Sequence, residues 1–131
     1  MPRPIYEAII AHARFCRPEE ACGLLAADNE GRLCFSYSLT NAQASPTRYT
    51  LDPTEHFRAL KHAEAQGWSL AGVFHSHPDT PAFPSATDVQ LALEPEWLYV
   101  IVSLADPVTP EVRAYWITDG QVTEESIDVE G

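Results

Sequence analysis

The sequence predicts an α/β fold, and three observations carry that expectation. Segments with helical patterning alternate with short strand-like apolar runs. One run, Trp97-Leu-Tyr-Val-Ile-Val-Ser-Leu104, is apolar almost throughout, as a central strand covered on both faces must be. The third is size. At 131 residues, 45% of them hydrophobic with three Trp and five Phe, the chain suits one compact domain spanning 1–131. No repeat, linker or low-complexity segment breaks it.

Each element has a local reason. Pro4 at a first helical position starts a helix to about Phe15, with Ile5, Ile9, Ala13 and Phe15 as its inner face. Glu20 to Ala27 reads as a strand, Asp28-Asn-Glu-Gly31 as a turn, and Arg32 to Leu39 as the hairpin partner. Thr40 to Thr50, polar and carrying Pro46, reads as a loop. Asp52-Pro53-Thr54-Glu55 supplies a cap, a proline at the first position and an acid in the first turn, so a second helix runs to about Gln66 and stops at Gly67. A strand from Trp68 follows, then a short helix from Ser85 to about Leu93, then the central strand. Val112 to Thr118 and Gln121 to Val129 pair around the Asp119-Gly120 turn. Trp68, Trp97 and Trp116 are expected in the core, and His12, His56 and His62 on the surface.

The segment Gly72-Val-Phe-His75-Ser-His77-Pro78, followed by Ser85-Ala-Thr-Asp88, carries the chemistry. Residues i and i+2 of a strand share a face, so His75 and His77 project together from its end and Ser76 turns away. Pro78 cannot donate to a ladder, and pairing stops where the ligands are needed. A proline-rich loop, Asp79 to Pro84, folds back. Ser85 then caps a helix, and Asp88 at its third position lies one turn on. Two imidazoles and a carboxylate are donors that zinc prefers, and three protein ligands leave a fourth tetrahedral position for water, the layout of a catalytic site. As a purely structural feature, the same Ser-x-x-Asp is a capping box.

Amide hydrolysis also needs a place for a proton, which a nearby carboxylate supplies by taking it from water and returning it to the leaving amine. Glu19 and Glu20 both stand before the first apolar strand, and composition does not choose between them.

The pattern His75-x-His77-Pro78 with Ser85-x-x-Asp88 resembles the zinc signature of the JAMM (MPN-plus) metallopeptidases. Arg17-Pro-Glu-Glu20-Ala-Cys-Gly-Leu-Leu25 is similar to the element that carries that family's catalytic glutamate, with Glu20 in its place. The resemblance covers essentially the whole chain. It implies a mixed β-sheet flanked by helices, of JAMM/MPN (cytidine-deaminase-like) form. It also implies one Zn2+ per chain on His75, His77 and Asp88, with Glu20 as the base. Ser85 would then aim at water or at the oxyanion rather than serve only as a helix cap.

Family members that cut ubiquitin chains carry a long insertion after the zinc motif. Here only Ala105 to Pro110 separates the central strand from the next. The compact form is similar to the bacterial stand-alone branch, whose best-known member acts on a ubiquitin-like sulfur carrier protein and releases cysteine from its terminal glycine. Asn41, Ser45-Pro46, Tyr49 and Asp52-Pro53 also resemble that branch. The expected function is therefore hydrolysis after the carrier's C-terminal Gly-Gly, in cysteine biosynthesis. An isopeptidase or processing protease for ubiquitin-like proteins is the alternative. A silent MPN scaffold is a distant third, since scaffold relatives lose ligands that are all present here.

A formal net charge of −11, with a single Lys, repels phosphate backbones and argues against nucleic acid. No apolar run is long enough for a membrane span, and the N-terminus lacks a signal peptide's apolar core. Cys16, Cys22 and Cys34 form no Cys-x-x-Cys pair, which points to a reducing, cytoplasmic setting. Cys22 and Cys34 are expected as buried packing residues. A homodimer is compatible with these features.

Overall fold

The computed structural model describes residues 1–131. The elements follow in the order α1 (Arg3–Cys16), β1 (Cys22–Ala27), β2 (Leu33–Leu39), α2 (Pro53–Ala65), β3 (Ser69–His77), α3 (Ala86–Gln90), β4 (Leu98–Ser103), β5 (Glu111–Thr118) and β6 (Gln121–Glu125). The six strands form one mixed sheet in the order β2-β1-β3-β4-β5-β6. Its one parallel pair is β3 with β4. That pair sits at the centre, where both faces are covered, and β4 is buried along nearly its whole length.

The sheet divides two apolar clusters. On one face α1 packs Ile5, Ile9 and Ala13 against Leu25, Phe74, Val100, Val102 and Ala114. On the other, Ala59 of α2 meets Leu24, Val73, Tyr99, Ile101, Tyr115 and Ile117. Alternation along β3 therefore sends Phe74 toward α1 and Val73, His75 and His77 toward α2. Gly23 in β1 has no room for a side chain, because a Cβ there would collide with the Tyr37 carbonyl oxygen and the Phe74 ring.

The punctuation works as the residues dictate. Asp52 caps α2 by accepting from the Glu55 amide at 3.0 Å. Gly67, at φ 78°, closes that helix in the left-handed region. Asp119 and Gly120, at φ 50° and 78°, make the tight β5–β6 turn that needs positive φ at both central positions. No helix is long and apolar enough to cross a membrane.

Several expectations are corrected. Phe15 is 85% exposed, because the inner face of α1 is completed by Ala13 and the helix turns Phe15 outward. Helix α3 ends at Gln90 rather than Leu93, and β6 at Glu125 rather than Val129. Trp116 faces outward at 36% exposure, between the inward Tyr115 and Ile117, while Trp68 and Trp97 are half-buried. His12 is half-buried on the Leu39 carbonyl, with Nε2 3.0 Å from the oxygen, and His56 is half-buried as well. Cys22 is fully buried, but Cys34 only partly so.

Candidate metal centre

Three local devices converge at the C-terminal end of β3. The first is the strand itself. His75 and His77 project to the α2 face, both buried, while Ser76 points the other way and its Oγ accepts the Ala21 amide at 2.7 Å. The second is the β1–β3 register. Cys22 stands opposite His75 in the antiparallel pair, and Ser76 N–H donates to the Ala21 carbonyl at 3.0 Å, so Glu20 comes opposite His77. The third is α3, whose N-terminal turn presents Asp88.

The three donors meet closely. His75 Nε2 lies 3.2 Å and His77 Nε2 3.0 Å from Asp88 Oδ2, and the two nitrogens are 3.3 Å apart. A tetrahedral zinc with bonds of about 2.0–2.1 Å sets its ligand atoms about 3.3 Å from one another, so this triangle fits the ion. Asp88 does two jobs. Oδ2 also accepts the Ser85 amide at 2.9 Å, while Ser85 Oγ accepts the Asp88 amide at 3.0 Å. The capping box is thus real and holds the carboxylate in place.

The loop from Pro78 to Pro84 is fastened through three successive carbonyls. Ser103 Oγ donates to Thr80 O at 2.6 Å, His77 Nδ1 to Pro81 O at 2.8 Å, and Tyr115 O–H to Ala82 O. The middle bond puts the His77 proton on Nδ1 and leaves Nε2 its lone pair, which is what ligation requires. His75 Nδ1 is buried with no partner. In place of a hydrogen bond, the Tyr49 ring stacks on His75, with centroids 4.5 Å apart and planes at 20°.

Glu20 is 3% exposed, and its Oε1 has no hydrogen-bond partner. Burial pushes its carboxyl up to about 8, with the nearby His77 pulling down and Asp88 pushing up. Glu19 is exposed, which separates the two acids that composition left equal. Burial holds His75 below the usual imidazole range despite Asp88, which favours the neutral form that ligation needs. For His77, burial is outweighed by the bonds to Asp88 and Pro81, and its value is raised. Asp88 is held well below the usual carboxylate range. Burial opposes this, but the two imidazoles packed against it and the Ser85 amide prevail.

The loop from Thr40 to Leu51 straps this corner. Asn41 Nδ2 donates to Glu20 O at 3.1 Å and Arg48 O at 2.8 Å, and its Oδ1 accepts from the amides of Gln43 and Thr50. The Glu20 amide in turn donates to Ser45 O at 2.8 Å. One buried asparagine therefore shapes the loop that fixes the Glu20 backbone and carries Tyr49 onto His75. Cys22, its thiol pushed up to about 12 by burial, is an inert neighbour.

All five residues singled out from the sequence, Glu20, His75, His77, Ser85 and Asp88, lie at this corner. Ser85 is the helix cap, and as the acceptor in that bond its hydroxyl still has a proton to donate. Ser103 and Tyr115 were not found from sequence. Their only signals were a polar residue ending an apolar strand and a tyrosine in an inward register. Tyr115→Phe, which deletes only the hydroxyl on Ala82 O, is expected to weaken zinc affinity about 10-fold with the fold retained. Competition with a chromophoric chelator measures this, and unchanged affinity would free His77 of any dependence on the fastened loop.

A buried histidine pair and an aspartate, confronted by a buried glutamate, form a group that could hold a metal ion, the kind of centre a hydrolase uses. The chain belongs to the JAB-domain family, in its prokaryotic branch: residues 2–118 match the family model described as prokaryotic homologs of the JAB domain. It is 44% identical over 126 residues to the CysO-cysteine peptidase of Mycobacterium tuberculosis, an alignment covering 95% of this chain and 86% of that one. It is 37% identical over 124 residues to a probable TtuB-protein conjugate cleaving protease of Thermus thermophilus, covering 92% and 77%. The solution structure of protein DSY2949 from Desulfitobacterium hafniense superposes with a TM-score of 0.90 at 40% identity, covering 99% of this chain and 93% of that one. The chain is a hydrolase of the JAMM peptidase type.

Proposed function

We propose that residues 1–131 act as one zinc metallopeptidase domain that cleaves the amide after the C-terminal Gly-Gly of a ubiquitin-like sulfur carrier protein and releases cysteine. The observation that carries this reading is the His75, His77 and Asp88 triangle with Glu20 buried opposite. The similarity to a CysO-cysteine peptidase over nearly the full chain supports the substrate. His75, His77 and Asp88 would hold one zinc per chain, which when bound would supply Lewis-acid polarisation of the scissile carbonyl and a lowered pKa for water.

The side chains do the rest. Glu20 takes the proton of the attacking water as it adds to the glycyl carbonyl. It returns that proton to the cysteine nitrogen as the C–N bond breaks. Ser85 donates its hydroxyl proton toward the oxyanion while Oγ keeps the Asp88 amide. The partner in this reading is a protein, not nucleic acid, and the setting is the cytoplasm, where Cys16, Cys22 and Cys34 stay free. The relative named for cleaving TtuB-protein conjugates favours the second reading, an isopeptidase for ubiquitin-like tags.

Mass spectrometry of a carrier–cysteine adduct incubated with zinc-loaded protein decides between them. Loss of one cysteine residue is the expected result. An intact adduct beside efficient cleavage of a lysine-linked conjugate would move the assignment to the isopeptidase.

A further inference from the structure

On the α2 face of the sheet, next to the metal triangle, lies a cavity of about 360 Å³. Its walls include Tyr49, Leu51, Val73, Leu91, Leu93 and Trp97. Tyr49 belongs to both places, since the ring that lines the cavity is the one stacked on His75. The cavity therefore adjoins the reacting centre through Tyr49. Leu91 and Leu93 stand beyond the end of α3 and are 60% and 81% exposed, an unusual state for two leucines beside an apolar cavity. Tyr99, with polar groups from Thr50, His56 and Glu94, completes the lining, and no Lys or Arg is among them.

We propose that this cavity is the subsite for the carrier residue that immediately precedes the two terminal glycines, and that it selects an aliphatic side chain there. The proposal rests on the reading that the substrate is a Gly-Gly tail. Val73, on the cavity floor, precedes His75 by two positions on the same face of β3, which places it about 6.6 Å along the strand. An extended tail with its last glycine at the triangle covers the same distance in two residues, which brings its third residue from the end over Val73.

β3 is already paired with β1 and β4, so the tail cannot extend the sheet beside His75 and must cross its α2 face. The leaving group is a poor occupant. Free cysteine carries an ammonium and a carboxylate, and no Lys or Arg lines the cavity to take the carboxylate. Two glycines and then an aliphatic residue match the apolar walls that begin two positions along β3 from His75.

The test uses hexapeptides that end in Leu-Gly-Gly or Asp-Gly-Gly, which carry no bond to cleave after the last glycine. They are titrated into the zinc-loaded protein while tryptophan fluorescence is followed, to which Trp97 in the cavity wall contributes. The leucine peptide is expected to bind about 10- to 100-fold more tightly, the scale of burying one aliphatic side chain. Leu93→Glu should abolish the preference while zinc content and circular dichroism stay as in the wild type. Equal binding of the two peptides, or a preference that survives in Leu93→Glu, would overturn the subsite. Failure of the underlying reading shows separately, as a carrier–cysteine adduct left uncut by wild-type protein that still prefers the leucine peptide.

Discussion

Glu20→Gln is expected to lower turnover of a carrier–cysteine adduct by about 10²-fold or more, the scale of a lost general base. Zinc content and thermal stability should stay near wild type. The substitution keeps the shape of a side chain that is 3% exposed, and it removes a charge whose burial is unfavourable enough to push the carboxyl up to about 8. An amide neither takes the proton from water nor returns it to an amine, so the loss should fall on the rate and spare the metal. Glu19→Gln should change little, because Glu19 is exposed. Rates measured at saturating substrate, with elemental analysis of each variant, separate these outcomes. The reverse pattern would mean that β1 is shifted by one residue against β3.

His77→Ala should have the largest effect on the metal. It removes one of three donors lying 3.0–3.3 Å apart, and with it the Nδ1 bond that ties the centre to Pro81. Zinc affinity should fall by more than the 10- to 100-fold typical of losing an outer partner, and hydrolysis should drop to background. Treating wild-type protein with a chelator should give the same loss, reversed by adding zinc back. A variant purified with a full complement of zinc would count strongly against the triangle as the binding site. The capping box between Ser85 and Asp88 does not involve His77, so α3 should survive the substitution.

What could be read from the sequence was set by short-range rules. The parity of a strand put His75 and His77 together, and the cap-to-third-position geometry of a helix turned Asp88 toward them. Asp52, Gly67 and Asp119-Gly120 likewise act on their immediate neighbours, and the turns and caps formed where expected. The choice between Glu19 and Glu20 is different in kind. It depends on which residue a strand some 55 positions away places opposite Ser76, and only packing decides that. Ser103 and Tyr115 reach carbonyls 23 and 33 residues distant, and no local pattern encodes such bonds. Asn41 stood out only as part of a stretch that resembles the bacterial branch; its four hydrogen bonds, which shape the strap over the site, are not encoded by any local pattern. Trp116 was legible in principle: strict alternation with the inward Tyr115 and Ile117 turns it outward, against the hydrophobicity of its ring.

The register of the first three strands has a consequence for how such a chain can change over time. At one end of the ladder Cys22 meets both Leu39 and His75, and at the other Ala27 meets Leu33 and Ser69. The turn at Asp28–Arg32 and the bend at Gly67 lie at the second end, a strand's length from the reacting atoms. Insertions there would lengthen the molecule without disturbing the chemistry. The segments 40–51 and 78–84 leave β2 and β3 at the first end. Rewriting those stretches would change what reaches the site while leaving in place the ladder that aligns Glu20 with His75 and His77.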